Sequence, residues 1–283
     1  MTTLTSAGIE DRQEPHFQPH LVALDVDGTL VDHDGHMSAG VREAAQAAIA
    51  AGHHLVIATG RSYGAALPVL ERLGITKGYC VCSNGGVTLE IDTSLPDGYR
   101  VMDRVVFDPS VALDALRVTL PTAKFALEDS HGNFLSTERF QDASFGVEAQ
   151  PVDFERLRSA EAVRVVVFST DSTAEEFGEA VRAIGLHGVT YSVGWTAWLD
   201  IAAEGVTKAS ALEKVRSTLG IDPKHTLAMG DGRNDIEMLG WAGRGVAMGQ
   251  APQEVLEAAT EVTGTVYEDG AAAVLRGLAD QRA

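Results

Sequence analysis

Cysteine is nearly absent from the chain: of 283 residues only Cys80 and Cys82, both in "GYCVCSNGG", are of that type. A metal site built on them would need further ligands that no other cysteine supplies. At a spacing of two on a strand both side chains point to one face, so the pair reads as small core residues in a reducing compartment. Positive charge is also scarce. With 22 Lys and Arg against 40 Asp and Glu, the formal charge of −18 would repel polyanions at long range, which argues against general nucleic-acid binding. An anionic substrate would need a local cluster of cations. No stretch approaches the roughly 18 to 20 apolar residues that span a bilayer, so no membrane partner is expected. The first 20 residues offer neither a basic n-region nor an apolar h-region, and 1–19 read as a flexible tail, with His16 and His20 as solvated side chains rather than ligands. These absences together predict a cytoplasmic protein.

What is present is an ordinary globular balance, 45% hydrophobic and 22% charged, long enough for one large domain or two moderate ones. From residue 20 short apolar runs alternate with helical patterns: "HLVALDVD", a helix over 38–51, "HLVIATG", a helix over 62–73, "YCVCSNG". Such a rhythm predicts a doubly wound parallel sheet of α/β class, covered on both faces. Ser38 suits an N-cap and Gly52 a C-terminal stop. The rhythm returns with "TAWLDIA", a helix over 207–219, "HTLAMGD", a helix over 234–241, "RGVAM" and a helix near 268–279. Between them, adjacent strands with short links, a helix after Pro109 and another after Ser172 predict an antiparallel sheet with helices on one side. The expected organisation is a Rossmann-like core over 20–86 and 196–283, with an α+β cap inserted over 87–195.

Open parallel sheets bind ligands where their strands end, so the residues following each apolar run carry the information. They are Asp25 and Asp27, then Thr59, Gly60 and Arg61, then Ser83 and Asn84, and finally Asp231, Asn234 and Asp235, with Lys208 opening a helix. Singly, most of these suit ordinary turns and helix caps. Asp25 and Asp27 resist that reading, because two close carboxylates repel and a divalent cation relieves the cost. A calcium loop fails on spacing, since Thr29 and Leu30 stand where it needs an oxygen ligand and a glycine. A few oxygen ligands from distant segments suit Mg²⁺ instead.

In order, "DVDGT", "ATG", Lys208 and "GDGRND" resemble the four motifs of the haloacid dehalogenase-like phosphatases. "SNGG" before a long insert and "GDGRNDIEMLGWAGRGVAM" are similar to the Cof-type subgroup, whose cap follows the third strand. The resemblance covers the chain from about residue 20 to its end. It implies a phosphatase that acts on a small phosphorylated metabolite, such as a sugar phosphate, through an aspartyl-phosphate. Asp25 would be the nucleophile, Asp27 the acid and then the base, Thr59 and Gly60 phosphate-binding groups, and Lys208 a counter-charge. Arg61, Asn84 and Asn234 would be further substrate contacts. The metal would be held by the Asp25 carboxylate, the Asp27 backbone carbonyl and Asp231, with Asp235 acting through water or holding Lys208. Enclosure by the cap would keep Asp27 protonated when substrate binds.

Two departures stand out: Ala209 where relatives usually carry Gly, and Gln250 where they usually carry Asn. A phosphomutase and a phosphoacceptor signalling module share much of this chemistry and remain open alternatives. Glu128, Asp129, His131, Trp195 and Trp198 are candidates for selecting the leaving group. The sequence leaves the oligomeric state open.

Overall fold

The computed structural model describes residues 17–138, 148–194 and 196–280. Strand β1 (Leu21–Leu24) leads through helix α1 (Ala39–Ala50) to β2 (His54–Ala58), and α2 (Tyr63–Leu73) leads to β3 (Lys77–Cys82). A hairpin continues into β4 (Val87–Asp92) and β5 (Tyr99–Arg104). Next come α3 (Ser110–Thr119), β6 (Lys124–Asp129), β7 (Phe134–Ser136), β8 (Gln150–Pro151), α4 (Phe154–Arg158), β9 (Ala162–Phe168), α5 (Ala174–Ile184), β10 (Val189–Val193) and β11 (Trp198–Ala203). The chain closes with α6 (Lys208–Leu219), β12 (Thr226–Gly230), α7 (Ile236–Trp241), β13 (Arg244–Ala247), α8 (Gln253–Ala258), β14 (Glu261–Val262) and α9 (Gly270–Ala279).

Two sheets result. The larger has the order β14-β13-β12-β1-β2-β3-β4-β5, parallel as far as β3 and antiparallel beyond it. Alternation along each strand sends Val22, Leu24, Leu55 and Ile57 toward α1, α2 and α9, while Leu21, Ala23, Val56 and Ala58 meet α6, α7 and α8. Both faces are therefore apolar, which is why these strands read as continuous hydrophobic runs. The two cysteines are buried and free. Ser38 caps α1 by accepting from the Val41 N–H at 3.0 Å.

The smaller sheet, β10-β11-β9-β6-β7-β8, forms the cap, with α3, α4 and α5 packed over Leu127, Val165, Val167 and Ile201. Strand pairing differs from the expected junctions at both ends. β4 and β5, within 87–104, extend the larger sheet, because "SNGG" turns the chain straight back onto β3. β11, expected to open the second half of the core, instead pairs antiparallel with β9 and β10. Its alternation of Trp198, Asp200 and Ala202 with Leu199 and Ile201 is that of a strand with one polar face.

His20 is half-buried at the amino edge of β1, contrary to its expected solvation. Its ring packs edge-on against His53 and His225, and the His20 backbone N–H donates to His53 Nδ1 at 3.1 Å. His16 and Trp195 lie outside the described residues, as does all of the expected tail before Phe17. Among the described residues no helix is long and apolar enough to cross a membrane.

Candidate active site

The Asp25 N–H donates to the Met229 carbonyl at 3.0 Å, so the ladder between β1 and β12 runs one residue past Leu24 and leaves the Asp25 side chain at the carboxyl edge of the sheet. The chain then turns tightly, with Leu30 and Val31 both donating to the Val26 carbonyl at 2.9 Å. Gly28 has φ +78°, and a Cβ there would lie 2.1 Å from Asp231 Oδ2. Only glycine lets the loops after β1 and β12 come this close.

Lys208, at the first position of α6, is fully buried. The helix start is fixed by Thr207, whose Oγ1 accepts from the Ser210 N–H at 3.1 Å. Lys208 Nζ donates to Asp25 Oδ1 at 2.5 Å and to Asp235 Oδ1 at 2.7 Å. The other oxygen of Asp235 accepts from the N–H groups of Asp231 (3.0 Å) and Gly232 (2.9 Å). Carboxylate oxygens of Asp25, Asp231 and Asp235 all lie within 4.8 Å of one another.

Three buried carboxylates beside one ammonium are an unbalanced group. Burial, and then Asp235, raise the Asp25 carboxyl well above the usual aspartate range, with Lys208 opposing. Asp231 is pushed up to about 7 by burial and by Asp235, while its hydrogen bond from Gln250 works the other way. Burial also works against the Lys208 ammonium, yet Asp235 and Asp25 outweigh it and hold its pKa above the ordinary lysine value. A hard divalent cation with oxygen ligands suits this donor set. Since Lys208 and two backbone amides engage Asp235, the Asp25 and Asp231 carboxylates are the better placed to receive it.

The remaining predicted residues gather around this group. Thr59 is fully buried at the end of β2; its Oγ1 accepts from the Arg61 N–H at 3.1 Å and its carbonyl from the Asn84 N–H at 3.0 Å. Asn234 Nδ2 donates to Asn84 Oδ1 at 2.9 Å, joining segments 150 residues apart. Gly60 lies against Asn84, whose Oδ1 would be 3.2 Å from a Cβ at that position. Ser83 and Asn84 both have positive φ, 51° and 53°, where the chain swings from β3 into the hairpin.

Asp27 is placed differently from the expectation. Its side chain is 61% exposed and holds Arg61 in a two-point pair, Nε to Oδ2 at 2.9 Å and Nη2 to Oδ1 at 2.6 Å. The enclosure expected for Asp27 is not found in this arrangement, and its carboxylate is not part of the acidic group.

A cavity of about 410 Å³ opens over Asp25, Asp27 and Asp231 and is roofed by Arg164, Ser192, Trp198 and Asp200 of the cap. It adjoins a second, of about 630 Å³, which reaches Lys208 and α5. Of the leaving-group candidates, Trp198 lines the first cavity. Glu128 is buried, its Oε2 accepting from Ser83 Oγ at 2.6 Å. Asp129 ties a turn by accepting from the N–H groups of His131 and Asn133 at 2.9 and 2.8 Å.

Sequence reasoning missed Arg164 and Asp200; the signal was a charge at an inward position of each of two otherwise apolar strands. Gln250, noted as a departure, proves to have specific contacts. Its Nε2 donates to the Gly28 carbonyl at 2.6 Å and to Asp231 Oδ2 at 3.3 Å, and its Oε1 accepts from the Val266 N–H at 3.0 Å.

Residues 22–275 match the family model of the haloacid dehalogenase-like hydrolases. A 5-amino-6-(5-phospho-D-ribitylamino)uracil phosphatase of Bacillus subtilis, YcsE, is 29% identical over 257 residues, covering 90% of this chain and 94% of its own. A phosphoglycolate phosphatase of Methanoculleus marisnigri is 28% identical over 250 residues, covering 88% and 92%. Among solved structures, the HAD subclass IIB sugar phosphatase BT4131 superposes with a TM-score of 0.76 at 27% identity, covering 92% of this chain and 99% of that one.

Proposed function

The chain belongs to the haloacid dehalogenase-like hydrolases and is a phosphatase, and from that premise we propose that it hydrolyses a small phosphorylated metabolite, with Mg²⁺, through an aspartyl-phosphate on Asp25. The observation that carries the reading is Lys208 Nζ, held in a buried position between Asp25 at 2.5 Å and Asp235 at 2.7 Å. One oxygen of Asp25 is thereby fixed, and the other is left to attack.

In the first half-reaction an Asp25 oxygen bonds to phosphorus as the ester P–O bond breaks, and Asp27 gives its proton to the leaving oxygen. In the second, Asp27 takes a proton from the water that attacks the acyl-phosphate, and Asp25 is released with inorganic phosphate. Both Asp27 oxygens accept from Arg61 in the free protein, so Asp27 has to turn from Arg61 to reach the leaving oxygen. The released guanidinium is then available to the phosphoryl oxygens. Thr59 and Gly60, between the nucleophile and Asn84, are the groups proposed to bind the phosphoryl oxygens, with Asn84 and Asn234 beside them. A Mg²⁺ ion held by the Asp25 and Asp231 carboxylates and the Asp27 carbonyl, with Asp235 behind them, would supply counter-charge to the transferring group.

The test is phosphate release from a panel of phosphorylated metabolites with and without Mg²⁺. Asp25→Asn is expected to lower turnover by about a thousandfold or more while far-UV circular dichroism is unchanged. Retained turnover would remove Asp25 as nucleophile. An isomeric phosphate ester as product would make the protein a mutase, and a long-lived phosphoprotein without release would make it a phosphoacceptor module.

A further inference from the structure

The cap face turned away from α3 and α5 carries two offset polar pairs, spread over four strands. Register places Ser192 of β10 opposite Asp200 of β11, and Glu128 of β6 opposite Arg164 of β9. Arg164, 3% exposed, donates from Nε to Asp200 Oδ1 at 2.5 Å, and Trp198 Nε1 donates to Asp200 Oδ2 at 2.9 Å. Arg164, Trp198, Asp200 and Ser192 line the same cavity as Asp25 and Asp231. They stand where the group bonded to the phosphoryl oxygen would lie.

Each cation that lines this cavity among the described residues already holds a carboxylate in the free protein. Arg61 holds Asp27, Arg164 holds Asp200 and Arg233 holds Glu254. Lys208, in the adjoining wall, holds Asp25 and Asp235. A second anionic group on the leaving group would face the Asp200 carboxylate of the cap, and could gain Arg164 only by stripping it from Asp200. Separating a desolvated pair leaves one charge uncompensated, which is costly. A neutral hydroxyl needs no such exchange. It can donate to the remaining lone pairs of Asp200 and accept from Arg164 while the pair stays closed. The Ser192 hydroxyl can serve a neighbouring oxygen, and the Trp198 ring offers a flat apolar surface to C–H groups.

Building on the phosphatase reading above, we propose that Arg164 and Asp200 are specificity-determining residues, selecting leaving groups that present neutral hydroxyls over leaving groups that carry a second anion. The relatives matched include both a ribitylaminouracil phosphatase and a phosphoglycolate phosphatase, so the choice between those chemistries falls to this chain's own cap residues.

Three esters test the assignment in the presence of Mg²⁺: ribitol 5-phosphate, 2-phosphoglycolate and p-nitrophenyl phosphate. For the wild-type protein kcat/KM for ribitol 5-phosphate is expected to exceed that for 2-phosphoglycolate by about a hundredfold. Asp200→Asn, which frees the guanidinium for a substrate carboxylate, is expected to shrink that ratio by about tenfold. A merely structural role for Asp200 would lower both values in proportion and leave the ratio unchanged. A wild-type ratio near one, or an unchanged ratio in Asp200→Asn, would overturn the proposal. The wild-type measurement stands whether or not the variant folds. Turnover of p-nitrophenyl phosphate without discrimination between the other two would sink this assignment alone, whereas release of phosphate from none of the three would overturn the phosphatase reading and this assignment with it.

Discussion

Asp235 engages both of its oxygens, one with Lys208 and one with the Asp231 and Gly232 amides, so an amide in its place would turn an N–H toward a donor on one side or the other. Asp235→Asn is therefore expected to leave Lys208 with Asp25 as its remaining carboxylate partner and one buried donor facing another, lowering stability by about 1 to 3 kcal/mol in urea titrations and reducing turnover with it. Unchanged stability would show that Lys208 is held without Asp235. Gln250 acts at one remove. Because its amide joins the Gly28 carbonyl to Asp231, Gln250→Ala is expected to raise the Mg²⁺ concentration needed for half-maximal turnover by about tenfold, with a smaller loss at saturating metal. A Mg²⁺ requirement unaltered in that variant would assign Gln250 to loop structure only. Among side chains, those at strand ends were legible because parallel sheets present ligands there. Asp200 and Arg164 were not, since their importance comes from a sheet pairing that one strand's pattern does not reveal.

At the scale of elements the two crossings between the sheets meet at Gly85. Its φ is +101°, and a Cβ there would fall 2.2 Å from the Thr207 carbonyl oxygen, in the residue that caps α6. Gly85→Ala is expected to push back the start of α6 and with it Lys208, lowering kcat more than it raises KM; wild-type kinetics in that variant would show that the contact yields freely. The helices of the core were legible from their period, with ends shifted by a residue or two: 38–51 became Ala39–Ala50 and 268–279 became Gly270–Ala279. The segment 234–241 begins as a tight turn over Arg233–Asp235 before α7, because Asp235 is drawn back onto the Asp231 and Gly232 amides. Strand existence was equally legible, but strand membership was not. β4, β5 and β11 joined the sheets opposite to those expected, since alternation predicts a buried face without naming the neighbour that buries it.

For the molecule as a whole, acid tolerance is expected to be limited from the amino edge of the larger sheet, opposite the catalytic edge. Burial lowers the pKa of half-buried His20 and His54 below their ordinary 6.5, with His225 adding to the effect at His20. A histidine depressed in the folded state contributes stability that is fully present above pH 6.5 and is lost as pH falls from there through the folded value. The stability difference between wild type and His20→Gln/His54→Gln, followed by urea midpoints from pH 8 to 5, is expected to move toward the variant as pH drops. A difference independent of pH would exclude the two histidines as the cause. Chain topology carries a further consequence. Val105 bonds to the Gly86 carbonyl as the chain departs for the cap, and Gly85 abuts Thr207 where it comes back, so the excursion between them opens and closes at one doorway. A polypeptide whose detour begins and ends at the same spot can trade that detour for another of different shape without disturbing the catalytic strands, which gives such a scaffold a simple way to acquire new substrates.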